Sequence, residues 1–569
     1  MRPFPASPAS PYSPISRYIV TLSLVGAASR RLKSRLVVAA AFATLVIPST
    51  LFAQEFVGLP QFYPGNLVVS RSVYDNLASN VTVGEQLPPN CTSGNCVSAV
   101  ANGTYPFVFN NAPVDGSFGI TSRIFLDQLT PSGVPLNTLE LPNNLQPWIN
   151  SKSDQLVTSF SSKSELGLHL STDGTYLTFM GYVAPVNTLD VSNSNTPAAP
   201  DSTNPVPSAY YRAVARIDAW GNLDFTETNA YSGNNGRSAI LNNTYGNDVY
   251  FTAGNAGNGS TPQPTGVVLG AGAQILSPVN EPEFEQTPSL PTPVASFSVT
   301  ELGDKADKVG KDDNFRGMTI FNNVLYYTKG SGGNGVNTVY YVNTSDTPCA
   351  NGVGLPAPGA KLPTAPLSYS LPLPSTGLPN NMCILAGFPT TSNKTPNFTP
   401  ANYPFALWFA DANTLYVADE GDGYSGPNDI YAHAAGQTMA GLEKWIFNAS
   451  AGKWELAYTL TNGLNIGTPY TFPGYPTGTN AATGEPWSPT TDGLRQITGF
   501  VNGDSVTIWA VTSTSSGGGD TGADPDKLVV ITDNLKSTTL PAEERFFTLR
   551  TAGFGEVLRG VSFTPTLTF

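Results

Sequence analysis

A chain of 569 residues with 28 basic and 41 acidic side chains has a net charge of −13, which speaks against nucleic acid and anionic membrane surfaces as partners. Charged residues make up only 12% of it, while Gly and Pro number 55 and 49, a composition typical of all-β extracellular proteins. With 40% hydrophobic and 11% aromatic residues, the chain is too apolar to be disordered.

The N-terminal 53 residues read as an export signal. Arg30, Arg31, Lys33 and Arg35 form a basic cluster, followed by the apolar stretch Leu36–Ala53, which ends in small residues. The alternative is a retained anchor, but a stretch of 18 residues containing Pro48 is short for a spanning helix. Arg2 and Arg17 also fall in this leader and no acid does, so the remaining chain is more acidic still. No other segment is long and apolar enough to cross a bilayer. The expected location is secreted or periplasmic, with residues 54–569 forming a single monomeric domain.

Along that domain one pattern recurs: a short apolar strand, a polar turn, and a second strand rich in Tyr, Val and Thr. It occurs at Leu166–Tyr182, Ser238–Asn255, Gly317–Gly330, Ala406–Gly421 and Gln496–Thr512. Two further strands follow each hairpin: Arg212–Gly221 with Leu223–Tyr231, Gly266–Gly272 with Ala273–Asn280, Asn337–Asn343 with Leu367–Pro374, Gly441–Asn448 with Lys453–Thr461, and Lys527–Asn534 with Arg545–Gly553. Alternating polarity and Gly/Asn/Asp turns mark these as antiparallel strands. Four strands per unit, repeated radially, predict a β-propeller. Leu558–Pro565 reads as an innermost strand whose partners are Asn66–Val73, Ser122–Thr130 and Leu136–Pro142, so one blade is built from both ends of the chain and closes the ring. The expectation is all-β with six blades; seven if part of 281–310 or 350–400 forms another. Long insertions at 74–121, 186–209, 281–313, 344–366, 375–402 and 465–490 are loops suited to recognition or simple decoration.

Four cysteines in an exported chain point to two disulfides, and Cys91–Cys96 with Cys349–Cys383 is the simplest of three pairings. Neither pair has a second pair or a His at zinc spacing.

Ser171–Leu177 (STDGTYL) resembles the hairpin of TolB-like propellers, and Leu415–Asp419 (LYVAD) resembles a strand of NHL and gluconolactonase-type propellers. Asp312–Asn343 and the order of the other blades resemble secreted bacterial β-propeller proteins, a likeness that implies a fold and no activity.

An arginine recurs just before the innermost strand: Arg237, Arg316, Arg495 and Arg559, with Glu165 and Phe405 in the same slot of the other repeats. Guanidiniums at a channel mouth could hold a carboxylate or phosphate by forked hydrogen bonds. Alternatively they pin blades together through Asp312, Asp313, Asp492 or Glu556. Acidic, Gly-containing loops carry Asp419, Glu420, Asp422 and Asp429, and Asp520, Asp524 and Asp526; the aspartates are the calcium candidates, although neither loop has EF-hand spacing and solvated turns are the plainer reading. There are two histidines, His169 on an inner strand near Glu165 and His433 in a loop, and no nucleophile elbow or metalloprotease motif. Trp148, Trp408, Trp487, Tyr424, Tyr470 and Tyr475 lie near loops, where aromatic faces can stack on sugars or fill the core. The functional expectation is an extracellular binding or scaffold module for a protein, a glycan or a small anion, with no cofactor beyond a candidate calcium ion. The alternative is a calcium-dependent enzyme of the lactonase, phosphatase or quinone-dehydrogenase type.

Overall fold

Successive side chains of a β-strand point to opposite faces, and in this protein both faces are buried. In Tyr176–Tyr182, Leu177 and Phe179 join a cluster with Val68, Leu126 and Ile217. Tyr176 and Met180 of the same strand join another with Leu241 and Tyr250. A strand dry on both sides belongs to a sheet stacked between two others, and the computed structural model has that arrangement. It describes residues 60–567 except 88–96, 99–118, 150–154, 198–207, 245–247, 256–271, 279–294, 298–313, 331–335, 346–348, 365–381, 392–400, 428, 482–483 and 519–521.

The strands form six small antiparallel sheets arranged as a six-bladed β-propeller. From the channel outward, the first blade runs Glu556–Phe563, Leu67–Val73, Thr121–Leu129, Pro135–Glu140. The second runs His169–Leu170, Tyr176–Tyr182, Arg212–Asp218, Leu223–Thr228, and the third Gly236–Asn242, Val249–Gly254, Ala273–Leu276, Ala295–Phe297. In the fourth blade, Phe315–Phe321, Val324–Lys329 and Thr338–Val342 are followed by Met382–Leu385, with Val353–Gly354 parallel at its edge. The fifth is Pro404–Asp411, Thr414–Asp419, Gly441–Asn448, Lys453–Leu460; the sixth is Thr490–Asn502, Ser505–Ser515, Lys527–Asn534, Phe547–Thr551. Glu556–Phe563 pairs with Leu67–Val73, so both ends of the propeller build one sheet, as the sequence predicts.

Two assignments shift. Ala273–Leu276 is the third strand of its blade, not the fourth, because it pairs directly with Val249–Gly254. The strand beside Thr338–Val342 is Met382–Leu385, whereas 367–374 lies outside the described residues. These segments complete blades three and four, and no seventh sheet of this kind occurs among the described residues. Cys349 and Cys383 form a disulfide that ties the loop at 349 to this outer strand; Cys91 and Cys96 lie outside the described residues.

Buried hydroxyls join blade to blade. Ser70 on the second strand of the first blade donates to Leu166 O at 2.9 Å, and Thr178 of the second blade to Ala239 O at 2.6 Å. Thr328 of the fourth blade donates to Phe405 O at 2.6 Å and accepts from Gly317 N at 2.9 Å. Gly317 is required there, since an added Cβ would stand 2.4 Å from Phe405 O. Thr328→Val keeps the shape and strands two buried backbone groups, so it is expected to cost roughly 1–3 kcal/mol. The readout is a lower urea midpoint at unchanged slope.

Candidate functional site

Each innermost strand pairs on one side only, so its other edge faces the central channel. The channel differs between its two ends. At the beginnings of the inner strands, register shifts occur between Gly236 and Ser238, Phe315 and Met318, Pro404 and Ala406, and Leu494 and Ile497, and in the first blade opposite Val69–Arg71. Such irregularities break the alternation and re-aim a side chain. Arg237, Arg316, Phe405, Arg495 and Arg559 all stand at them, which is the structural reason the slot recurs.

The four arginines are 2–5% exposed. Arg237 donates to Phe315 O at 2.7 Å and to Asn314 Oδ1; Arg559 donates to Gly522 O at 2.7 Å and to Phe160 O. Arg316 donates to Ser164 Oγ at 2.8 Å. Arg316 and Arg495 also meet at one carboxylate, Glu420, with Nε–O distances of 3.7 and 3.4 Å, and Lys163 Nζ reaches the same group at 3.2 Å. Burial alone would push the Glu420 carboxyl up, but Lys163, Arg316 and Arg495 outweigh it and hold the group below the usual carboxylate range. Burial lowers the pKa of Lys163 in turn, with Glu420 opposing. Of the partners expected from the sequence, Glu556 pairs with Arg71 at 2.5 Å, and Asp492 accepts from Gln437 Nε2 at 2.5 Å and Gly423 N at 2.8 Å. Asp312 and Asp313 lie outside the described residues. Glu165 is held apart from the Glu420 group: it accepts from Thr158 Oγ1 at 2.6 Å, Ser159 N at 2.9 Å and Tyr182 OH. Burial raises its pKa.

At the opposite end the channel opens into a cavity of about 910 Å³. All six inner strands line it, through His169, Asn242, Thr319, Trp408, Thr498 and Ser562 among others. Gln496 forms part of its floor: the side chain leaves the sixth blade at the register shift and its amide lies against Gly167 of the second, where an added Cβ would stand 2.6 Å from Nε2. Gln496 is 2% exposed, and its Nε2 has no hydrogen-bond partner in the protein; neither has His169 Nε2. Burial lowers the His169 pKa to about 4, so the imidazole is neutral at physiological pH. No hydrogen bond joins it to Glu165, which turns to Tyr182. The Trp408 ring lies over Gly499, 2.7–2.8 Å from where a Cβ would be.

This cavity was not anticipated from the sequence. Its one available signal is the neutral polar residues at the ends of the inner strands, namely Ser171 and Thr172, Asn242, Thr319, Thr498 and Ser562.

The acidic loop residues are taken up by hydrogen bonds within the protein. Asp419 accepts from Tyr403 N at 2.6 Å and Gly421 N at 2.9 Å, and Asp422 from Tyr424 N at 3.0 Å. Asp429 accepts from Ala432 N at 3.1 Å in the short helix Ile430–Ala435, so His433 is helical rather than in a loop. That histidine stacks on Tyr424 and lies 3.5 Å from Asp422. Asp524 accepts from Tyr475 OH, and Asp526 from Leu558 N at 2.8 Å. Asp520 lies outside the described residues, and among the described residues no three His, Cys, Asp or Glu converge as a metal site would require. Trp148 is exposed, whereas Trp487 and Tyr475 are buried.

No family model matches the chain, and no curated protein matches it. Among solved structures, extracellular domains 1–2 of Drosophila Semaphorin 1a are similar at 10% identity, covering 73% of this chain and 84% of that one with a TM-score of 0.26. A mutant of the Synechocystis apocarotenoid oxygenase is similar at 8% identity, covering 79% of this chain and 60% of that one with a TM-score of 0.21. Neither likeness carries a statement about ligand or activity.

Proposed function

We propose that this protein is an exported binding module that takes a small ligand in the cavity at the open end of the propeller channel. The carrying observation is the cavity itself: about 910 Å³, framed by strands from every blade, within the range of small-molecule sites. The Cys349–Cys383 disulfide supports an oxidising compartment. The arginine end is read as a clasp between blades, since Glu420 already fills the place among Lys163, Arg316 and Arg495 that a ligand carboxylate would take. Among the described residues lining the cavity there is no Asp or Glu, so the calcium-dependent enzyme reading has no ligand set there.

A ligand that binds only the native state at about 100 times its Kd stabilises it by about 2.7 kcal/mol. Thermal-shift screening of the purified protein against a small-molecule library is expected to give a compound that raises the melting temperature. The same compound should have a smaller effect on Thr319→Trp, in which an indole projects into the cavity and takes up part of it. An equal response in that variant refutes the cavity as the site.

A further inference from the structure

We infer that the cavity recognises a neutral, hydroxyl-rich ligand, a saccharide of about one or two rings; this rests on the binding reading above. Three observations point the same way. About half of the lining consists of uncharged donors and acceptors, among them Asn242 on the third blade, Thr319 on the fourth, and Gln496 and Thr498 on the sixth. Groups spread around a ring suit a ligand that presents hydroxyls in several directions, because each of those can donate and accept. The floor carries buried polar atoms whose needs the protein does not meet: Gln496 Nε2, at a residue 2% exposed, and His169 Nε2. A buried amide donor without a partner costs on the order of 1–3 kcal/mol, and because both residues are among those lining the cavity, a small turn of the side chain toward a ligand oxygen would meet that need. An aromatic plane is also present, since Trp408 lines the wall and is kept over Gly499 by the absence of a side chain there.

Charge argues against an ionic ligand. His169 and Lys361 are the ionisable groups among the described lining residues, and His169 is neutral near pH 7. Lys361 is exposed, away from the buried floor. A carboxylate brought into the cavity would therefore lose water without meeting a buried cation.

The test is calorimetric titration of the purified protein with maltose, cellobiose and glucuronate, alongside the library screen. Binding of maltose or cellobiose is expected, weakened at least tenfold in Gln496→Leu and unchanged in Lys536→Ala, at an exposed position outside the cavity. Thr498→Val, at a partly exposed wall position, provides a second loss-of-binding variant should Gln496→Leu fold poorly. Preference for glucuronate, lost in Lys361→Ala, overturns the neutral class. A library compound that stabilises the protein while none of the three sugars binds also overturns the class and leaves the cavity reading standing. Finding no stabilising compound at all, or one that acts equally on Thr319→Trp, overturns both.

Discussion

Glu420→Gln is expected to destabilise the propeller by roughly 3–5 kcal/mol, the usual cost of removing one partner from a buried ion cluster. The carboxylate is 2% exposed and is shared by Lys163, Arg316 and Arg495 from three separate segments of the ring. Glutamine preserves the length and one acceptor oxygen, so the loss reports charge rather than shape. Three cations then face one another at short range with little water to screen them. Part of the stability should return in the double variant Glu420→Gln, Lys163→Met, because one uncompensated charge has been taken away. Urea denaturation of the single and double variants measures both. As a control, Asp504→Asn breaks the 2.7 Å pair with Lys536, which is largely exposed on both sides, and should leave the midpoint unmoved. If Glu420→Gln behaves like that control, the arginine end is not a clasp, and a role in holding an external anion regains its standing.

The fate of these residues shows how far the sequence could be read. The recurrence of Arg237, Arg316, Arg495 and Arg559 was visible because it repeats with the blade. Their partners were not, because Glu420 comes from the loop after the second strand of the fifth blade and Lys163 from the approach to the second blade. Each occurs once, so periodicity gives no hint of either. The register shifts at which these side chains stand are backbone events, and no residue type marks them uniquely: the residue after the slot is Gly317, Gly560, Ser238 or Gln496. Inner hairpins were legible for a different reason. Their second strands are dry on both faces and rich in β-branched and aromatic residues, and tight polar turns set them off. Outer strands such as Ala295–Phe297 and Met382–Leu385 are three and four residues long and follow long insertions, too short for alternation to identify. The cavity is not legible in the sequence because half of its lining is ordinary apolar strand residues and the rest is mostly Thr, Asn and Ser, which read as turn formers; only closing the ring brings the ends of the inner strands together.

Stability is expected to fall as pH rises from about 5 to 7.5 and then to level off. Burial raises the carboxyl of Asp190 to about 7, and does the same for Asp492 and Asp526, with Asp524 raised to about 6. For a carboxyl whose folded pKa is raised, the folded state holds its proton over a window in which the unfolded chain has lost it. Its contribution is complete below the unfolded value near 3.8 and is lost as pH climbs through the folded value near 7. His169 works in the opposite sense: lowered to about 4 by burial, it contributes stability above its ordinary 6.5, and that contribution is lost as pH falls toward 4. One histidine offsets part of the slope from several carboxyls below 6.5 and none of it above. Asp190 isolates the effect. It sits at a positive φ of 57°, which asparagine tolerates well, and it accepts from Asn193 Nδ2 at 2.6 Å through Oδ1, an acceptor that asparagine retains. Asp190→Asn should therefore match the parent near pH 3 and exceed it increasingly as pH rises toward 7, with the gap approaching on the order of 4 kcal/mol above that. Thermal melts of the two proteins across that range measure the gap directly. A gap that stays constant with pH would mean that Asp190 is charged in the folded protein and that burial at this loop is not what sets the slope.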